Sequence, residues 1–436
     1  MVTVVIIVIF LAMCALMYTK KLSALFVLPL MAFLIALVSG IPFGNTVTED
    51  GTAYGILHLL FANGPVRLAP NIMMLIFGAI LSQMIYITGI AGTLVKKISE
   101  LAGDRPLVLG LLLFAVMTLL FTTLGGLGAV IMVGTIVFPI MASVGIKPLT
   151  AACILLFGLS TGGIFNLVNW GLYQNVLGLS VETIRTFAFP LGGIFVVTGV
   201  LFIIFSEKFG DKNKKLSWPE PAEASEEPQK NARLISLLSP IVPLALLMTA
   251  EISGLFSIHI NTALVAGLLF CLITTINRDS VKELTKAVLE GISNASGAIF
   301  LMIGIGMLLV VVMDARVTTH IGPVIADILP SNPFLFVVFF AVLAPLALYR
   351  GPLNIWGLGL GLAAIMYGTG VLPAFAIMAA LMATGQLQGI CDPTNTHNVW
   401  AASATGVDVN DILKKTLPFV WIAAAVGLVI ASFMAF

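Results

Sequence analysis

The chain has 436 residues, of which 59% are hydrophobic and 9% charged, with a formal net charge of +1. Soluble domains carry about 25% charged residues, so this chain cannot cover itself with polar surface and is expected to be an all-α polytopic membrane protein. The near-neutral balance and the lack of a basic tract argue against a nucleic-acid partner. Cys14, Cys153, Cys271 and Cys391 stand at unrelated spacings in apolar surroundings, which fits packing better than a metal or disulfide framework.

The first apolar run, MVTVVIIVIFLAMCALMYTKK, has its lysines after it. A cleaved leader carries charge before its apolar run, so this reads as a first membrane helix. A spanning helix needs ~20 apolar residues. The first half offers 2–18, 23–41, 70–92, 106–121, 127–144, 148–176 and 188–206. The stretch 207–233, rich in proline and charge, reads as a solvated linker. The second half offers 236–256, 260–277, 294–313, 333–348, 353–369, 373–402 and 416–435.

Both halves thus give the same series, and local matches support a duplication. GLSVETIRTFAFP (178–190) aligns with GVDVNDILKKTLP (406–418), where Ser180 and Asp408 are natural N-caps for a short interfacial helix. Gly145 to Pro148 aligns with Gly370 to Pro373, and Gly126 falls on Gly351 at the same offset. The expected division is a first repeat at 1–206, a cytoplasmic linker at 207–234 and a second repeat at 235–436.

The pairs 106–121/127–144 and 333–348/353–369 are each joined by a very short polar break, TTLGG (122–126) or YRGPLN (349–354). Such breaks suit re-entrant hairpin tips. Each half then crosses five times, an odd number, and the two repeats are inverted. The basic residues test this. With the linker in the cytoplasm, of 21 Lys and Arg only Arg67, Arg185 and Arg316 fall outside, and Arg350 sits at a hairpin tip. The positive-inside rule is met, and both termini face outward.

Two further breaks interrupt long apolar segments: LSTGGIFNLVNW (159–170) and GQLQGICDPTNTHNVW (385–400). Unpaired backbone in lipid is expensive, and is tolerated only where protein or a wet cavity satisfies it. Inverted repeats bring all four breaks together near the midplane, where half-helix ends offer N–H groups to an anion and carbonyls to a cation.

Arg350 has no charged neighbour in sequence and is the leading candidate to bind a substrate carboxylate, where its fork fits two oxygens. A structural ion pair with Asp392, or a tip that snorkels, is the alternative. Asp392 is the first candidate for ion coupling and His397 the second; Asp392 could equally cap a helix starting at Pro393. Candidate substrate groups are Thr122, Thr123, Gly125 and Gly126 at the first tip, Ser160, Thr161 and Asn166 in the first broken helix, Gly351 and Asn354 at the second tip, and Thr394, Asn395, Thr396 and Asn398 in the second broken helix. Gln386 and Gln388 lie on opposite helix faces, so one of them is expected to point inward.

With these features in place, the layout resembles the ion transporter superfamily, which moves organic anions and includes citrate–metal, gluconate and dicarboxylate carriers. WAASATGVDVNDILKKTLPFVW (400–421) and TTLGGLGAVIMVGTIVFPIMASVGIKPL (122–149) are similar to the citrate–metal–proton symporter type. The divalent-anion branch carries Ser-Asn-Thr at its hairpin tips, whereas these tips read TTLGG and YRGPLN. The resemblance implies a homodimer in the plasma (inner) membrane working as an elevator. The hairpins, broken helices and 188–206/416–435 would move, and 93–104 and 315–329 would be amphipathic arm helices.

The expected function is a secondary active importer of a small carboxylate, an organic or hydroxy acid anion, driven by H+ or Na+ and using no cofactor. The rival is a cation/proton antiporter on a similar frame, which would want more carboxylates near the cavity. No GxxxxGK[ST], HExxH or GxSxG pattern is present, so ATP drive and intramembrane enzymology are not expected.

Overall fold

The structure is a computed structural model that describes residues 1–19, 21–48, 51–209, 218 and 231–436. Twenty α-helices dominate it. The first half runs α1 (Val2–Tyr18), α2 (Ala24–Val38), a small antiparallel hairpin of β1 (Thr46–Thr48) and β2 (Gly51–Ala53), then α3 (Ile56–His58), α4 (Gly64–Arg67) and α5 (Ala69–Ile87). It continues with α6 (Ile90–Ala102), α7 (Pro106–Phe121), α8 (Gly126–Ser143), α9 (Pro148–Ile164), α10 (Leu167–Leu177) and α11 (Val181–Phe209). The second half runs α12 (Val242–Ser253), α13 (Ile260–Thr274), α14 (Ser280–Val312), α15 (Ala315–Ile328), α16 (Pro333–Leu343), α17 (Gly359–Thr369), α18 (Ala374–Cys391), α19 (Thr396–Thr405) and α20 (Val409–Ala435). Most of the predicted linker lies outside the described residues.

Among the described residues, seven helical segments are long and apolar enough to cross a membrane, counting Pro333–Arg350 and α18 with α19 as one segment each, and the α9–α10 pair, bent by 46°, makes up to eight. The chain is therefore a multi-pass membrane protein. At 1.5 Å per residue, the 11-residue α16 and α17 reach about 16 Å each, half of a ~30 Å hydrocarbon core.

Packing relates the halves reciprocally. α14 packs on α2 while α5 packs on α13, and α19 packs on α8 while α10 packs on α17. Corresponding helices also run antiparallel. A Cβ on Gly291 would lie 3.0 Å from the Ala79 carbonyl, whereas Arg67, just before α5, reaches Met313, just after α14. Likewise Phe202 meets Phe419 with ring centroids 5.4 Å apart, while Leu191 abuts Gly427. The aligned glycines share a role: Gly145 and Gly370, at φ of 83° and 69°, and Gly178 and Gly406, at 68° and 69°, follow helix ends in the left-handed region that glycine adopts freely. The third match fails in conformation. Gly126 opens α8 at φ 81°, but Gly351, at φ −69°, lies inside an irregular tip.

Several expectations need correction. Ser180 and Asp408 do cap helices, accepting from the N–H groups of Thr183 and Asn410, but the helices are the long α11 and α20 rather than short interfacial pieces. Pro190 and Pro418 sit within them. The span placed at 294–313 belongs to a helix that already starts at Ser280, because no breaker interrupts the polar run ahead of it. The breaks are narrower than the polar stretches. Only Phe165 and Asn166 separate α9 from α10, and only 392–395 separate α18 from α19. Ser160 and Thr161 are therefore helical.

Close packing of α7 on α9 depends on Gly158, where an added Cβ would stand 2.6 Å from the Met117 Cβ. The variant Gly158→Val should lose about 1–3 kcal/mol of stability through overpacking, read as a lower melting temperature of the purified protein in detergent. An unchanged melting temperature would mean that this contact is not close.

Candidate functional site

The two breaks and the two tips meet around a cavity of about 820 Å³. Of the residues singled out from sequence, Thr123, Gly125, Gly126, Ser160 and Asn166 line it from the first half. Arg350, Asn354, Thr394, Asn395, Thr396 and His397 line it from the second. Thr122, Thr161, Gly351, Asp392 and Asn398 do not. Gln386 and Gln388 both line it, contrary to the expectation of one, because the cavity surrounds the last turns of α18. Sequence reasoning missed Ser82 and Gln83 of α5, Asn294 of α14 and Tyr349. For Ser82 and Gln83 the available signal was polarity inside an otherwise apolar run.

Each helix break is closed by an asparagine at the start of the next half-helix. The Asn166 Oδ1 accepts from the Val168 N–H at 3.0 Å, and its amide donates to the carbonyls of Phe121 and Leu124 at 3.3 and 3.2 Å, tying the first tip to α10. The Asn395 Oδ1 accepts from the His397 N–H at 3.3 Å, and its amide donates to the Gln388 carbonyl at 3.2 Å. The second tip is tied across the halves, where the Trp356 indole N–H donates to the Asn169 Oδ1 at 3.2 Å.

The second tip is the most distorted backbone described. Tyr349 and Arg350 both sit at φ 56°, a left-handed conformation that costs about 1–3 kcal/mol per non-glycine residue and concentrates at functional sites. A side chain at Gly351 would strike the Leu346 carbonyl, so the turn requires glycine there. This winding presents the half-buried Arg350 to the cavity, where its one hydrogen bond among the described residues is a long 3.5 Å contact to the Trp356 carbonyl. Asn354 is 1% exposed; its Oδ1 accepts from the Trp356 N–H at 2.8 Å, and its Nδ2 has no partner. Two donors on one tip thus stand ready for an acceptor.

Asp392 is fully buried. It does not cap α19, a job done by Asn395. Its Oδ1 instead accepts from the Thr394 N–H at 2.8 Å and the Thr394 hydroxyl at 2.7 Å, an Asx-type turn just after α18. Its Oδ2 has no partner, and no ion pair joins it to Arg350 among the described residues. The buried Thr161 hydroxyl and both polar atoms of the Asn398 side chain are likewise unpartnered.

Thr122 and Thr123 are not free for a substrate. The Thr123 hydroxyl donates to the Pro240 carbonyl just before α12, while the Thr122 hydroxyl lies 2.7 Å from the Leu119 carbonyl and 3.3 Å from that of Pro240. The double variant Thr122→Val/Thr123→Val should free the tip, raising amide hydrogen exchange over 121–126 and costing about 1–3 kcal/mol through the orphaned carbonyl. Unchanged exchange would show that the threonines do not hold the tip.

No family model matches this chain, and no curated protein does. A solved structure, that of the Alcanivorax borkumensis YdaH transporter, is similar with a TM-score of 0.55 at 13% identity, over 93% of this chain and 96% of that one. At that identity the likeness shows the fold. The chain has the fold of a multi-span membrane transporter.

Proposed function

We propose that the protein is a secondary active transporter that imports a small carboxylate, coupled to H+ or Na+ by elevator-like alternating access. The observation that carries this reading is Arg350, a guanidinium with one long hydrogen bond, beside the unpartnered Asn354 amide in a cavity where two tips and two helix breaks converge. Water-filled or protein-satisfied breaks at mid-membrane are what binding sites in such transporters are built from.

The antiparallel course of α5 against α14 and of α11 against α20 supports two inverted repeats, 1–206 and 235–436, with the short α16 and α17 as a re-entrant hairpin. The helices α6 and α15 correspond to the arm segments. The cavity extends to Leu22 and Ser23 beside Lys21, a loop that the positive-inside rule puts in the cytoplasm, so this conformation is inward-facing. Asp392 serves as the coupling group, because its unpartnered buried oxygen calls for a proton or a cation, and His397, the second residue of α19, lies on the cavity wall. No Asp or Glu lines the cavity among the described residues, which favours an anion carrier over a cation/proton antiporter. A homodimer in the plasma membrane, with both termini outside, belongs to this reading by resemblance.

Protein reconstituted in liposomes should take up one or more members of a radiolabelled carboxylate panel under an imposed H+ or Na+ gradient. Arg350→Ala should lower that uptake at least tenfold, about the effect of losing one charge-assisted bond, while leaving the melting profile intact. Full uptake in that variant, or cation-dependent proton release with no carboxylate uptake, would overturn the proposal.

A further inference from the structure

The wall of the same cavity narrows the anion, an inference that rests on the anion-carrier reading. Arg350 is the sole lysine or arginine among the described lining residues. One guanidinium fork satisfies one carboxylate. A second carboxylate here would meet only neutral dipoles, and desolvating it without a counter-charge is strongly unfavourable. At the half-helix starts, the side-chain oxygens of Asn166 and Asn395 already occupy one first-turn N–H of α10 and of α19, and a partial dipole charge is no substitute for a second cation.

The wall contributed by the long helices α5 and α14 is made for a different group. Gln83 is 4% exposed and lines the cavity. Its Nε2 donates to the Glu290 Oε2 at 2.6 Å, and its Oε1 accepts from the Asn294 Nδ2 at 3.4 Å. The Glu290 oxygen accepts at this contact, which turns the nitrogen end of the Gln83 amide toward it. The Gln83 Oε1 is thereby presented as an acceptor, which repels a carboxylate oxygen and accepts from a hydroxyl. Asn294 keeps its own Oδ1 on the same wall, and Gln388 adds another amide. Amides pair with hydroxyls in both directions, because each group both donates and accepts.

We propose that the cavity selects a monocarboxylate whose body carries hydroxyl groups: the carboxylate binds at Arg350 and Asn354, Gln83 is the specificity residue for a hydroxyl, and Glu290 is its positioning residue. Di- and tricarboxylates are disfavoured by charge, and plain alkyl monocarboxylates offer no donor to the remaining acceptor positions of Gln83 and Asn294.

Calorimetric titration of the full-length protein in detergent tests this with four probes: gluconate, propionate, succinate and citrate. Gluconate should bind tightest. Gln83→Leu should weaken gluconate about tenfold, the effect of an unmade buried hydrogen bond, and leave propionate unchanged. Glu290→Gln removes the group that orients the amide, so it should narrow the gluconate-over-propionate preference; a purely structural role would weaken both probes alike. Succinate or citrate binding as tightly as gluconate, or equal losses for gluconate and propionate in Gln83→Leu, would overturn the proposal while leaving the carboxylate site standing. Absence of binding by all four probes would overturn both.

Discussion

Everything in this molecule answers to one constraint: a peptide group inside a membrane must find a hydrogen-bond partner within the protein. Where α9 and α18 stop short of the bilayer's far side, their last carbonyls and the first N–H groups of α10 and α19 lose their helical partners. Asn166 and Asn395 resolve this in the same way. Each caps its half-helix and spends its amide on a neighbouring carbonyl. The first tip is further held by Asn166 from below and by the Pro240 carbonyl from the other half. Polar groups that would otherwise destabilise the core therefore become the framework of a cavity.

The second tip uses the opposite solution. Instead of a short turn, residues 344–358 wander through a tight turn, two left-handed residues and several glycine-dependent close approaches before α17 begins. That strain is maintained by contacts from Trp356 to Asn169 and Asn354. The result is a guanidinium and an amide facing a cavity that holds no other lysine or arginine among its described lining residues. Asp392 lies nearby in sequence to this cavity wall but behind it, with one oxygen engaged by Thr394 and the other unpartnered. No ion pair joins Arg350 to Asp392 among the described residues, so neither charge is neutralised by direct contact with the other.

The sequence carried the framework well and the cavity wall only partly. Repeat-related caps at Ser180 and Asp408 were legible because capping dictates residue type, and the matched glycines at 145, 178, 370 and 406 were legible as a repeat, their left-handed φ appearing only in the structure. Arg350 was legible because isolated charge in an apolar run is rare. The fate of Thr123 was not, since it depends on a carbonyl more than a hundred residues away in the other half. Gln83, Glu290 and Asn294 acquire meaning only when α5 lies antiparallel to α14, a contact between halves that no local pattern encodes. The extent of each break was overestimated for a related reason: polar residues such as Ser160 and Gln386 can stay helical by bonding one another across the interface, here at 2.6 Å.

The central claim is that the cavity at the meeting of the two halves is reached in turn from each side of the membrane. It is tested most directly by a single cysteine at Thr396, a residue on the cavity wall, in a background with Cys14, Cys153, Cys271 and Cys391 replaced by alanine. Membrane-impermeant maleimide should label that cysteine in both right-side-out and inside-out vesicles, more slowly when a transported carboxylate is bound. Labelling from one side alone, or from neither, would contradict the account.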